Sequence, residues 1–530
     1  MNFILKSKNI KAVAFIVLLY IVWSILFIRK PSVIGIDGQR YFSLIDDAMV
    51  SMRYAWNFSH GYGLVWNPGE RVEGYTNLLM TLMMSVYTLL FEKSDAVLAV
   101  QITGLGFVLG CSYIIWKLCN FLARDLEGRT QSFFSITVLI MTLTYYPLSY
   151  WSLTGMETGL LALLLLASLY FMEKYLREKR NIYLFIMAGL HGLAYLTRPD
   201  AIIFSVPIFL YIIYATKDDL FHERSKLTAI ISSVILYTLF IFWQEIFRIN
   251  YYNEYLPNTY YLKLTGMPLI ERIKNGLGFI APYLATHLLL LGISVFGFFK
   301  KPDSRKGLYL CLITLPIFYQ VWVGGDPWPY WRIMAPVHPL LVILFVLSVY
   351  EILQSVGRPV FTKTGSRLLS YTILIGILIS NLNFIAEMLF VRIPFNTEVY
   401  NRLINTALVL NEITTEDATL GVCWAGTLPY YTNRKGIDFL GKNDKYVSRL
   451  LPDLSGKISW DGMYSVPGHN KYDLYYSVKQ LRPTYTQYVK WGRQDISSWA
   501  SANYLFVNYK GVGLWLLKGA TEVKWEILSR

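Results

Sequence analysis

The chain has 530 residues, 54% hydrophobic and 16% charged, with a formal net charge of +14 and a mean hydropathy of +0.39. Soluble domains carry about 25% charged residues, so this composition argues against a soluble globular protein and for a polytopic α-helical membrane protein. The basic residues fall in short loops between apolar runs, which fits orientation in a bilayer and not nucleic-acid binding.

In chain order, the first apolar run, 12–28, follows Lys6, Lys8 and Lys11. No small-residue cleavage site follows it, and Arg29-Lys30-Pro31 comes instead, so it reads as a retained first helix with a cytoplasmic N-terminus. Ten further spans are expected at roughly 95–120, 131–150, 157–173, 181–197, 200–216, 226–247, 277–299, 307–323, 333–352 and 367–391, each near the length that crosses a bilayer. A further run, 75–91, is ambiguous on hydropathy alone. The basic connections "EKYLREKR" (173–180), "KDDLFHERSK" (217–226), "KKPDSRK" (300–306) and "GRPVFTKTGSR" (357–367) are assigned to the cytoplasm by the positive-inside rule. Working back, "RDLEGRTQ" (124–131) is cytoplasmic too, which requires that 75–91 does not cross. The expectation is therefore eleven crossings, a long first external loop at 29–94 and an external C-terminus.

From about 391 the pattern changes. Turn signals (Leu-Pro-Asp, Pro-Gly-His) and short alternating runs such as "YLFVNY" and "GLWLL" predict a small external domain of mixed α/β type. The division is thus a transmembrane part, 1–391, and an outer part, 392–530. Cys111, Cys119, Cys311 and Cys423 make no disulfide framework; three lie in predicted spans and are expected in the core. The 40 Tyr and 15 Trp suit interfacial belts and also sugar stacking; in the outer part Trp491, Trp499 and Trp515 are either stacking platforms or its core.

With this topology the polar segments all fall on the external side. They are "IDDAMVSMRYAWNFSHGYGLVWNPGERVEGYTN" (45–77), "SLTGMETG" (152–159), "LTRPDA" (196–201), "FRINYYNEYLPNTYYLK" (247–263) and "VGGDPWPYWRIMAPVHP" (323–339). Ionisable groups at membrane depth are costly unless they face a cavity or a partner, so five such segments on one face point to an active site. Each residue also has a plainer reading. Asp46 and Asp47 either cap a helix or form a general-base setting with Ser51, Tyr54 and Arg53. Glu157 stands at a helix start, and Arg198 and Asp200 could make a local salt bridge. Lys263 and Arg332 are either snorkelling anchors or phosphate ligands. Asp326 suits a turn, as does the Asn-Pro-Gly at 67–69. His60 and His338 read as structural. Absence of Walker A, GxGxxG, Cys/His cluster and GxSxG patterns argues against a nucleotide-driven pump and a serine hydrolase of that type.

The order "DDA…RYAWN…GYGLVWNPGERVEGYTN", "TGMET", "LTRPDA", "YYNEYLPNTYYLK", "VGGD…R…P..P" resembles the integral-membrane GT-C glycosyltransferases, and among them the actinobacterial terminal arabinofuranosyltransferase branch. The resemblance runs from the first loop to about residue 340. It implies an all-α GT-C fold with juxtamembrane helices in the first external loop. It also implies transfer, usually inverting, of a sugar from a polyprenyl-phosphate donor to an envelope glycan, glycolipid or protein acceptor outside the cytoplasmic membrane. Carried over by motif, Asp46 and Asp47 match the catalytic acidic pair of the first loop, and Glu157 a second-loop acid near the site. Arg53, Arg71, Arg198, Lys263 and Arg332 become candidates for the donor phosphate. Glu70, Glu73, Tyr75, Asn77, Asp200, Asn258, Tyr260 and Asp326 become further substrate-binding candidates. A divalent cation (Mg, Mn or Ca) held by acids could serve in place of side-chain cations. The competing function is a non-enzymatic carrier or flippase of lipid-linked glycans, which would place key charges near mid-membrane; a structural scaffold would leave the first-loop pattern unexplained.

Overall fold

The structure, a computed structural model, describes residues 2–123, 128–218, 223–357, 362–455 and 466–529. Helices occupy all eleven stretches expected to be spans. Among the described residues seven are long and apolar enough to cross a bilayer: Ile10–Arg29, Lys93–Leu122, Thr158–Glu178, Arg224–Tyr252, Leu269–Lys300, Ser304–Val323 and Ala335–Ser355. Thr130–Leu143 and Tyr146–Leu153 make an eighth if counted as one span bent by 55°; Pro147 opens the second piece, where proline restarts a helix but cannot continue one. Ile182–Thr197, Pro199–Ala215 and Thr364–Ser380 are shorter apolar helices. The protein is therefore a multi-pass membrane protein, and seven or eight of its described helices qualify as spans by length and composition alone. The ambiguous run forms the 13-residue helix Leu78–Leu90, about 20 Å long at 1.5 Å per residue, short of a bilayer core of about 30 Å. The connections 124–131, 217–226 and 357–367 fall partly outside the described residues.

The spans carry apolar side chains on their exposed faces, and some bury polar ones within the largely apolar core. Helix Arg224–Tyr252 exposes Leu239, Phe242, Trp243 and Ile246 while burying Tyr237, Gln244 and Arg248. Cys111 and Cys119 are buried as expected, but Cys311 is exposed: it sits on the outward face of Ser304–Val323, where a small apolar thiol is as compatible with lipid as with a core.

Three further pieces pack against one another beside the spans. The helix Asp46–Ser59 is buried along most of its length, including Asp46, Arg53 and Asn57. Loop 60–77 returns across it to Leu78–Leu90. The C-terminal region follows helix Thr397–Ile413 with a five-stranded sheet. Its strand Thr419–Val422 runs parallel to Lys435–Asp438 and Tyr485–Thr486, and Val512–Leu517 pairs antiparallel with Tyr485–Thr486 and Tyr504–Tyr509. The two alternating runs read in the sequence are thus the hairpin that closes the sheet. Trp499 and Trp515 pack in its apolar cluster.

This region is fastened to the first loop by buried polar contacts. Arg53 is 1% exposed; its Nε donates to the Trp66 carbonyl (3.1 Å) and its two terminal nitrogens to the Asn433 side-chain and main-chain oxygens (2.8 and 3.1 Å). Trp66 Nε1 donates to the Ala425 carbonyl (3.0 Å). Asn67 exchanges two hydrogen bonds with the Gly436 backbone, and its own carbonyl accepts from the Glu70 amide, making the expected turn. A β-carbon on Gly436 would lie 2.2 Å from the Trp66 ring, so glycine is what allows the approach.

Two outcomes follow. Single cysteines at Ser94, in the first turn of helix Lys93–Leu122, and at Gly128, beyond its other end, are expected to react with an impermeant maleimide from opposite sides of the membrane; reaction from one side contradicts eleven crossings. Arg53→Met strips the partner from buried carbonyls and is expected to cost about 2–3 kcal/mol, read as a clear drop in the thermal unfolding midpoint of detergent-solubilised protein.

Candidate functional site

A cavity of about 380 Å³ lies between the ends of the spans and the C-terminal region. Its polar walls are organised around arginines held between pairs of carboxylates. Arg332 bridges Asp47 (3.0 Å) and Asp326 (2.9 Å). Arg198 bridges Glu157 (2.6 Å) and Asp200, to which it is bidentate (2.9 and 2.7 Å). Arg248 bridges Glu73 and Glu245, both at 2.5 Å. A guanidinium shared by two carboxylates satisfies several donors at once, which is what makes burying these charges tolerable.

Asp47 is the most connected of the acids. One oxygen accepts from Lys442 (2.6 Å); the other accepts from Arg332 and from Trp328 Nε1 (2.8 Å). Burial alone would raise its pKa, but Lys442, Arg332 and Lys263 outweigh that and hold the carboxyl well below the usual range. Asp326 is held down in the same way by Arg332 and Lys263 against burial. Asp326 also accepts from the Trp328 amide (3.0 Å), so the turn reading and the site reading both apply to it.

Asp46 is different. Its side chain accepts from the Gly426 amide (3.0 Å), the one donor seen on it among the described residues. Burial pushes its pKa up to about 7, and the neighbouring Asp47 adds to the rise while Lys442 opposes it. Gly426 comes this close because it lacks a side chain: a β-carbon there would sit 2.4 Å from the Asp46 carbonyl oxygen and 2.6 Å from Met49 Cβ. Both acids stand in the first turn of helix Asp46–Ser59, as the helix-start reading expects, but Ile45 is the N-cap and the side-chain partners of the two acids are tertiary. Glu157 occupies the N-cap position without capping, and its second oxygen accepts from Asn77 (3.2 Å), which in turn accepts from Ser51 (3.0 Å).

Lys263 lines the cavity near Asp47, Asp326, Arg332 and Lys442. Among the described residues no hydrogen bond or ion pair holds its ammonium. Burial lowers its pKa. It is a cation in a cavity with no partner of its own.

Eleven of the expected residues line this cavity: Asp46, Asp47, Glu157, Tyr75, Asn77, Arg198, Asp200, Tyr260, Lys263, Asp326 and Arg332. Five do not. Arg53 clamps the C-terminal region, as described above. Glu70 pairs with Lys435 (2.6 Å). Arg71 is exposed and stacks over the Tyr251 ring (4.9 Å). Glu73 stands behind the wall and orients Arg248. Asn258 donates to the carbonyls of Gly441, Lys442 and Asp444 (2.9, 3.0 and 3.3 Å) and so sets the loop that presents Lys442. These residues build the site without facing it.

Lys442, Trp328 and Arg248 were missed by sequence reasoning. Arg248 sits inside a polar segment already noted, and its spacing from Glu245 was a usable sign. Lys442 lies in the polar run "GKNDKY" (441–446) of the outer part, and nothing local marks it. Trp491 also reaches this cavity, whereas Trp499 and Trp515 do not.

For a divalent ion the fit is poor: among the described residues no three His, Cys, Asp or Glu side chains converge, and Asp47, Asp326, Glu157 and Asp200 already face cations.

Residues 76–243 match a family model described as dolichyl-phosphate-mannose-protein mannosyltransferase, and residues 393–522 match a domain of unknown function, DUF8728. The structure is similar to ArnT from Cupriavidus metallidurans bound to undecaprenyl phosphate, with a TM-score of 0.53 at 11% identity over 80% of this chain and 85% of that one. It is also similar to the archaeal oligosaccharyltransferase AglB from Archaeoglobus fulgidus in complex with an inhibitory peptide and a dolichol-phosphate. That likeness has a TM-score of 0.54 at 12% identity over 98% of this chain and 75% of that one. No curated protein sequence matches significantly. At these identities the likeness shows the fold alone.

Proposed function

We propose that this chain is a glycosyltransferase that moves a sugar from a polyprenyl-phosphate donor to a cell-envelope glycan or glycolipid on the outer face of the cytoplasmic membrane. The observation that carries this reading is one outer cavity in which an acid pair from the first loop meets Lys263, Arg332 and Lys442. The undecaprenyl phosphate and dolichol-phosphate in proteins of similar fold support a lipid-phosphate donor. The motif block at 46–77 ties the reading to the arabinofuranosyltransferase branch. In this reading the chain crosses the membrane eleven times, its N-terminus is cytoplasmic, and residues 392–530 form an external unit that completes the site.

The three cations receive the donor phosphate. Lys263 is unoccupied, and Lys442 and Arg332 can turn from Asp47 toward a more highly charged oxyanion. Asp46 is the general base. Both oxygens of Asp47 are engaged, whereas Asp46 keeps lone pairs for a substrate and titrates near neutrality, where a base is most effective. Asp46 takes the proton of the acceptor hydroxyl as that oxygen attacks the anomeric carbon from the face opposite the phosphate. The bond from that carbon to the phosphate oxygen breaks, and the polyprenyl phosphate leaves with the electron pair, its charge met by the cations. The leaving group needs no protonation, so no second carboxylic acid is required.

The sign of the pH dependence follows from the raised pKa of Asp46. Below pH of about 7 the carboxyl is protonated and cannot accept; above it the carboxylate is present. Transfer by the wild type is expected to rise with pH through about 7 and then level. Asp46→Asn is expected to lower kcat by about 10²–10⁴-fold and to abolish that pH limb, while Asp47→Asn chiefly raises KM for the donor. Transfer assays on purified variants decide this; full activity in Asp46→Asn removes the base assignment.

A further inference from the structure

The turn Pro467-Gly468-His469, a break signal in the sequence, ends at the cavity, and all three residues line it. It packs on the helix Asn258–Leu264, which carries Lys263. A β-carbon on Gly468, whose φ is +84°, would lie 3.4 Å from Lys263 Cε and 3.7 Å from Lys263 Cγ, so the turn rests on the stem of that lysine. The same helix is gripped from the C-terminal region at two more points. Lys471 is 0% exposed, and its ammonium donates to the carbonyls of Tyr261 (2.8 Å) and Ser448 (2.9 Å). The Ser448 hydroxyl donates to the Asn258 side-chain oxygen (2.8 Å). The place of Lys263 is thus set by Ser448, Gly468 and Lys471.

His469 itself is half-buried and is held in place by Trp491, which also lines the cavity. Trp491 Nε1 donates to the His469 carbonyl (3.1 Å), and the Trp491 ring lies 6.4 Å from the imidazole at an interplanar angle of 27°. The ring nitrogens are uncommitted. Nδ1 is enclosed and makes no hydrogen bond; the Pro467 carbonyl of the same turn stands beside the ring but out of bonding geometry. No other hydrogen bond reaches the imidazole among the described residues. Polar atoms away from bulk water are ordinarily paired, so an imidazole left free in the wall of a cavity calls for a ligand.

The charges around the ring indicate what that ligand is. Burial, reinforced by Lys263 and Lys442 and opposed by Asp47, holds its pKa below the ordinary histidine value, so at neutral pH the ring is uncharged. A neutral imidazole carries one N–H and one lone pair, and the proton goes to whichever nitrogen meets an acceptor. It can therefore donate to a phosphate oxygen without adding a fourth cation to a site that already holds three. Two ammonium groups beside it disfavour a cationic ligand. We propose that His469 is a further substrate-binding residue, donating a hydrogen bond to the phosphate of the polyprenyl-phosphate donor beside Lys263. This rests on the reading that Lys263, Arg332 and Lys442 hold that phosphate. The C-terminal region then supplies two of the groups that meet it, His469 and Lys442.

The test uses the full-length protein in phosphorus-free detergent, labelled with heavy nitrogen at its six histidines, with undecaprenyl phosphate as the probe. Solid-state NMR on the frozen complex is expected to show a dipolar contact between the probe's phosphorus and a histidine ring nitrogen, and to lose it in His469→Gln. Titration followed by native mass spectrometry is expected to show His469→Leu binding the probe about tenfold more weakly, the loss of a hydrogen bond to a charged group. His469→Gln, whose amide still donates, is expected to bind within about threefold of the wild type. Absence of the dipolar contact, its persistence in His469→Gln, or a contact made with inorganic phosphate but not with undecaprenyl phosphate overturns the proposal. Wild-type affinity in His469→Leu overturns it too; with Lys263→Met weakened in the same titration, the phosphate seat stands without His469. A His469 contact in a protein whose Lys263→Met and Lys442→Met variants bind as the wild type does keeps the histidine assignment and rejects the three-cation seat.

Discussion

The part of this protein that holds the candidate site is organised by the carboxylate of Asp47. Lys442 approaches it from 395 residues away and Arg332 from 285 residues away, so three segments remote in sequence end at one atom group. A buried carboxylate is tolerable only if its charge is met and its lone pairs are filled. Meeting that condition fixes where the first-loop helix, the 326–332 loop and the C-terminal region stand relative to one another. The same condition recurs at Arg198 and Arg248, each placed between two acids. Between helices in lipid there is no hydrophobic driving force, so close packing and polar contacts choose the arrangement, and these ion pairs are among those contacts.

This organisation also explains the division of labour between two adjacent acids. Successive residues on a helix point about 100° apart. Asp47 is turned into the ring of cations, while Asp46 is turned toward the Gly426 amide and little else. One carboxyl is held ionised as a scaffold for cations, and the other is left near its titration point. Neighbouring groups pushed to opposite ends of the pKa range are a recurring sign of acid–base function.

The membrane class, the places of the helices and the segments that form the cavity were legible because hydropathy and loop charge are local signals. Eleven of the proposed site residues reach the cavity, and all sixteen lie in polar segments beside apolar helices, so the segments were legible but not which of their side chains face the cavity. What was not legible depends on contacts at long range. Arg53 looked like a phosphate ligand, yet its partner is Asn433. Glu70 and Asn258 looked like substrate contacts, yet both hold the C-terminal region in place. Lys442 was invisible because a lysine in a polar loop carries no local mark of being drawn to a distant acid. The number of crossings stays ambiguous on length alone, since Ile182–Thr197, Pro199–Ala215 and Thr364–Ser380 are short; they could be set down as spans only by loop charge and parity.

The central claim is that the cations gathered around Asp47 form the seat of a lipid phosphate. The most direct measurement is a cryo-electron-microscopy structure of the full-length protein in nanodiscs with undecaprenyl phosphate. The account predicts phosphate density in contact with Lys263 and with at least one of Arg332 and Lys442, accompanied by lengthening of that residue's bond to Asp47. Phosphate density away from these three side chains, with the Asp47 ion pairs unchanged, would contradict it.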